Sequence, residues 1–152
     1  MEKKKIVMTL SKAFPASHSR CGEPTCFEAL LAEGTKIHTI RKNKNGVWDK
    51  RAAEINNGKK CLCVREWEGR PYHSEQREFA RYERIGLQHV RMVKKSGLFV
   101  DCEVDGKPVP VWTLAANDGL LVPDFIEWFF STNIYGVDVF EGVIIHFTDF
   151  RY

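Results

Sequence analysis

Leu30-Leu31-Ala32-Glu33-Gly34-Thr35-Lys36-Ile37-His38-Thr39-Ile40-Arg41 carries both a change of secondary structure and the densest polar cluster at an element boundary in the chain. Upstream of Gly34, the segment Pro24 to Glu33 has apolar residues at 26, 27, 30 and 31. That spacing is helical, and a glycine just past the last turn is a helix stop. Downstream, an extended Ile37 to Arg41 would put Ile37, Thr39 and Arg41 on one face and Lys36, His38 and Ile40 on the other. Bringing Lys36 beside Thr39 therefore requires a bend near Lys36, and Gly34 permits a tight turn there. The pattern Gly34-x-Lys36-x-x-Thr39-x-Arg41 gathers one glycine, two cations and a hydroxyl within eight positions.

Outward from this stretch the chain is rich in short strands. Lys5 to Leu10 reads as a first strand. Val47 to Asn56, with Trp48, Ala52, Ala53 and Ile55 among charges, reads as an amphipathic helix closed by Asn57-Gly58. Lys60 to Trp67, Phe79 to Ile85, Gln88 to Lys94, Leu98 to Val104 and Val109 to Leu114 read as strands, separated by turn residues such as Ser96-Gly97 and Asp105-Gly106. Pro123 to Phe130 reads as a helix with proline in its first turn, and Gly142 to Phe147 as a closing strand. Short strands, two or three flanking helices and no strand-helix-strand rhythm predict an α+β fold, a closed or nearly closed β-barrel of mainly antiparallel strands. At 152 residues and 43% hydrophobic, the expectation is one domain spanning residues 1–152.

Bulk properties narrow the function classes. A balance of 23 basic against 20 acidic residues leaves +3, which suits an anionic ligand but lacks the basic stripe of a dedicated duplex binder. No run approaches the roughly 20 apolar residues that span a bilayer, so neither a membrane segment nor a signal peptide is expected. Five cysteines, an odd number, fit a reducing cytoplasm with free thiols. Their C-x-C and C-x4-C spacings do not match zinc knuckles, so no metal and no other cofactor is expected.

The cluster and the helix before it resemble the ASCH domain family, a PUA-like group marked by an apolar helix end followed by Gly-x-Lys-x-x-Thr/Glu-x-Arg. Within it the chain is most similar to small bacterial 4-acetylcytidine amidohydrolases, which keep lysine and threonine at these places and draw a carboxylate from just before a later helix. The matching carboxylate is Asp118, in Ala115-Ala116-Asn117-Asp118-Gly119-Leu120. It is one methylene shorter than the family glutamate, and the segments Lys42 to Asn57 and Trp67 to Gln76 are additions to the family pattern. The resemblance implies Lys36, Thr39 and Asp118 as catalytic residues. Thr39 would be the nucleophile or would position water, Lys36 would activate it through a lowered pKa, and Asp118 would shuttle a proton or hold Lys36. It also implies a cleft for a nucleotide-like or RNA-derived ligand, with Gly34, His38, Arg41, Asn117 and Trp48 as binding residues. A Lys36→Ala substitution is expected to abolish turnover while leaving the melting curve near wild type.

Several residues keep two readings. Arg41 either clamps a phosphate or carboxylate with its planar fork or locks the barrel against an internal acid. His38, between isoleucines, faces either the core or the pocket rim. Trp48, Trp67, Tyr72 and Trp112 either stack on a base or pack. Lys42, Lys44, Lys50, Arg51, Lys59 and Lys60 form either a phosphate-binding patch or a solvated face. Three functions follow: a binding domain for a nucleotide-like or RNA-derived ligand, an amidohydrolase on an acylated nucleoside such as 4-acetylcytidine, and a protein-interaction module. The last would use Phe125 to Phe130 and Phe147 to Tyr152 to dock a partner or a second copy; a homodimer is compatible with the sequence without being called for by it.

Overall fold

The computed structural model describes residues 2–96, 98–130 and 137–152. Gly97, half of the turn expected after Ser96, lies outside them. In chain order the elements are β1 (Lys4–Thr9), α1 (Phe27–Ala32), β2 (His38–Arg41), α2 (Val47–Asn56), β3 (Lys60–Trp67), β4 (Gln76–Tyr82), β5 (Gly86–Ser96), β6 (Phe99–Val104), β7 (Lys107–Val109), α3 (Val111–Asn117), α4 (Val122–Phe130) and β8 (Asp138–His146). The fold is α+β. Among the described residues the strands hydrogen-bond as two sheets, with orders β1-β3-β4 and β2-β8-β5-β6-β7, and no ladder closes them into a ring.

The five-stranded sheet is antiparallel throughout, and β5 with β8 forms its long central ladder, from Gly86 opposite His146 to Lys94 opposite Asp138. In the smaller sheet β3 pairs antiparallel with β4, but β1 runs parallel to β3, from Lys4 opposite Lys60 to Thr9 opposite Arg65. This parallel pair is the exception among ladders that are mainly antiparallel, as expected. Its crossover contains α1, β2 and α2, which is the long connection that parallel pairing needs.

Alternation along β8 explains the layering. Ile144 belongs to one buried cluster, with Met92, Val104, Leu114 and Phe125, while Val143 and Ile145 belong to another, with Ile6, Ile55, Leu62 and Val64. The five-stranded sheet is thus covered by α3 and α4 on one face, and by the smaller sheet with α1 and α2 on the other. A strand buried on both faces reads as an unbroken apolar run, as Val143-Ile144-Ile145 does.

Residues 109–114, read as a strand, are divided between β7 and α3. Their β-branched alternation is outweighed by Pro110, which has φ −60 and ψ 139 at the helix start, and by Ala115-Ala116, good helix formers that extend the turn. The helix expected from Pro24 starts only at Phe27, because Pro24 pairs with Ala13 in a β-bridge and Cys26 is left-handed at φ 60. α1, α2 and α3 end alike: glycines 34, 58 and 119 have positive φ, and the N–H of the following residue bonds back to a carbonyl in the last turn, from Thr35 to Leu30, Lys59 to Glu54 and Leu120 to Ala115. No helix among the described residues is long and apolar enough to cross a membrane.

Candidate functional site

Two of these glycine-ended helices meet end to end. After Gly34 the chain folds back so that the Lys36 N–H also reaches the Leu30 carbonyl, at 3.0 Å, and regular strand begins only at His38. This is the bend that lets Lys36 and Thr39 share a space. The Ile37 N–H donates to Asn117 O at the end of α3, at 2.9 Å, which fixes the distance between the motif and Asp118 through the backbone.

Lys36 is only 2% exposed. Its Nζ donates to the backbone carbonyl of Asp118 at 2.7 Å and to the Asp118 carboxylate at 3.1 Å, and it lies 4.3 Å from the centre of the Phe27 ring. An ammonium so placed exchanges water for one carboxylate, one carbonyl and one aromatic face. Burial pushes its pKa below the ordinary lysine value, Asp118 opposes the shift, and the Arg41 charge adds to it. Arg41, also pushed down by burial, donates its guanidinium to the carbonyl of Thr9 at the end of β1. It therefore bridges the edge strand of the larger sheet to the smaller one through a backbone carbonyl rather than an internal acid.

These residues open on one cavity of about 210 Å³, walled by Lys36, Thr39, Ile40, Arg41 and Asp118, by Thr9, Leu10 and Ser11 after β1, and by Phe27, Trp128 and Phe129. Drug-sized sites occupy about 300–1,000 Å³. The cavity therefore suits one ring-sized group better than a whole nucleotide. Apolar and aromatic walls with a few convergent polar groups are the usual make-up of a small-molecule site.

His38 lies behind the cavity rather than on it. Its Nδ1 sits 3.3 Å from the Asp118 carboxylate and its Nε2 2.6 Å from the Tyr152 hydroxyl, which accepts from the Asn117 amide at 2.9 Å. Because Asn117 donates to that hydroxyl, the hydroxyl proton is available to Nε2, leaving Nδ1–H for Asp118. Burial pushes the Tyr152 phenol up to about 12, so it stays a donor. His38 and Asn117 thus brace Asp118 from outside the pocket, a positioning role. Next to them His146 donates Nε2–H to Gln88, while its buried Nδ1 has no hydrogen-bond partner among the described residues.

Trp48, expected to bind ligand, is part of the core. Trp48, Ala52 and Ile55 repeat at i, i+4 and i+7, and this stripe buries α2 against the β3 layer, while Arg51 covers the indole at 4.8 Å. Gly34 serves the turn and lines no part of the cavity. Of the cations downstream of the motif only Lys50 and Arg51 lie on α2; Arg51 covers Trp48, and Lys60, which opens β3, pairs with Glu54 of α2. Phe125, Ile126 and Phe130, suggested as a docking surface, are buried under the larger sheet. The cavity's aromatic walls, Phe27, Trp128 and Phe129, have no mark in the sequence beyond lying on apolar helices, which read as core. Cys61 and Cys63 are buried in β3, and burial pushes the Cys63 thiol up to about 12.

No family model, no curated protein and no solved structure matches the chain.

Proposed function

We propose that the chain is an ASCH-like, PUA-like domain that binds the base of a nucleoside-like or RNA-derived ligand in the cavity between Lys36, Thr39, Arg41 and Asp118. One observation carries this reading. A lysine withdrawn almost wholly from water, and braced by Asp118, His38, Tyr152 and Asn117, faces an aromatic-walled cavity of about 210 Å³. So costly an arrangement is commoner at ligand sites than in plain structure. Phe27, Trp128 and Phe129 offer apolar and aromatic surface to a planar ring, and Arg41 and Thr39 offer donors to its edge.

A second reading, hydrolysis of an amide on that base, is favoured by the lowered pKa of Lys36 together with the Thr39 hydroxyl on the same cavity. A lysine that loses its proton more readily can accept one from threonine as the hydroxyl, or water held by it, attacks the acyl carbon. The proton then passes to the leaving amine. Turnover would rise with pH along a limb lying below the ordinary lysine value.

The test is calorimetric titration with 4-acetylcytidine and cytidine, with chromatography to follow deacetylation. Thr39→Val, near in shape to threonine, is the variant of choice. Binding with turnover that Thr39→Val removes supports the hydrolase reading, and binding without turnover supports the binding domain. Folded protein that neither binds nor converts either nucleoside overturns both.

A further inference from the structure

A second cleft, of about 660 Å³, adjoins the cavity and shares Thr9, Leu10 and Ser11 with it as a common wall. Its far side is formed by Trp67 and Tyr72, whose ring centroids lie 5.1 Å apart at 48°. Tyr72 is 85% exposed and left-handed, with φ 65, a conformation that bulky residues seldom adopt. Strain of this kind collects where it serves a site. The loop that holds it is tied by its own hydrogen bonds: Glu68 N–H to Glu75 O at 2.8 Å, Gly69 N–H to Ser74 Oγ at 3.0 Å and Ser74 Oγ–H to Arg70 O at 2.8 Å. An ordered loop therefore presents an aromatic face to water. Packing does not explain this, because the ring contributes to neither buried cluster.

We infer that Trp67 and Tyr72 form a stacking subsite for the nucleobase next to the one held in the cavity, so that the ligand is a short single strand of RNA rather than a free nucleoside. This rests on the cavity reading above. The shared wall at Thr9, Leu10 and Ser11 sets the two spaces side by side, and aromatic faces accept any base because every base has a π face. Lys12 is the cleft's cation, and its Nζ lies 3.4 Å from the Glu68 carbonyl, while Glu68 supplies an acid to the same lining. A cleft so nearly neutral suits stacking of a base more than tracking of a phosphate backbone.

The experiment compares 4-acetylcytidine with a trinucleotide carrying it between two adenosines, read as Kd, or as kcat/KM where the probe is turned over. Wild type, Tyr72→Ala and Tyr72→Phe are assayed, with melting curves to confirm folding. The expected result is tighter use of the trinucleotide by wild type, a loss of about 5- to 100-fold for that probe alone in Tyr72→Ala, and retention in Tyr72→Phe. Equal trinucleotide binding by wild type and Tyr72→Ala, with nucleoside binding intact, overturns the subsite and leaves the cavity reading standing. Failure of wild type to bind either probe overturns both.

Discussion

Lys36 illustrates how far one residue's environment departs from what its type suggests. A lysine two positions past a helix-stopping glycine is ordinarily a solvated one, yet here it is buried against Asp118. Truncating one partner of a buried pair leaves the other charge uncompensated, at a cost of about 3–5 kcal/mol. Lys36→Ala should therefore lower the melting temperature by on the order of 10 °C, contrary to the near-normal melting curve expected from sequence. Replacing both partners, as Lys36→Met with Asp118→Leu, should recover much of that loss while still abolishing ligand binding. Thermal denaturation beside calorimetry checks both, and a single mutant that melts like wild type would mean that the pair is dispensable for stability.

At the scale of elements, the site depends on how helices stop. Gly34 and Gly119 both have positive φ, +82 and +79, but their surroundings differ. A Cβ at Gly34 meets nothing within 4 Å, whereas one at Gly119 lies 3.1 Å from Lys36 Cβ and 3.2 Å from Leu30 Cδ1. Both alanine variants should lose roughly 1–2 kcal/mol in urea denaturation, the cost of a left-handed backbone. Only Gly119→Ala should also weaken ligand binding, because it displaces Lys36; equal binding by the two variants would sever that link. The stops at Gly34 and Gly58 are legible in the sequence, since Glu33-Gly34 and Asn57-Gly58 each follow a helical pattern of apolar residues; the one at Gly119 is not. The bounds of α2 and β3 are legible too, because glycine and asparagine punctuate them. α3 is not, because local alternation over 109–114 favours a strand and the winning influences, Pro110 and the alanine pair, bear on its two ends. The burial of Trp48 lies in the i, i+4, i+7 stripe, which outweighs the pull of a tryptophan near a motif.

At the scale of the whole molecule, the pairing of β1 with β3 and the division into two sheets depend on contacts between distant segments, which no local pattern encodes. The cavity walls are equally dispersed, coming from residues near 9, 27, 36–41, 118 and 128. The motif and its carboxylate were therefore readable, and the aromatic walls were not. The central ladder also carries an acid sensitivity. Burial holds His146 neutral down to about 3, helped by its neighbours His38 and Arg151, whereas an unfolded histidine takes up its proton near 6.5. Between those values the unfolded chain binds more protons, so stability is full above pH 6.5 and falls by up to about 1.4 kcal/mol per unit on acidification toward 3. Melting temperatures measured from pH 7 to 4 should show this decline, and His146→Gln should flatten it; an unchanged slope would assign acid sensitivity to other groups.

The pairing of β2 has a consequence for synthesis. Its ladder partner is β8, with His38 opposite His146 and Arg41 opposite Val143. The strand that bears the motif therefore emerges from the ribosome about a hundred residues ahead of its partner, and closing so long a span is slow. The nascent chain must carry Lys36 to Arg41 without that ladder until β8 emerges and docks against β2 and β5.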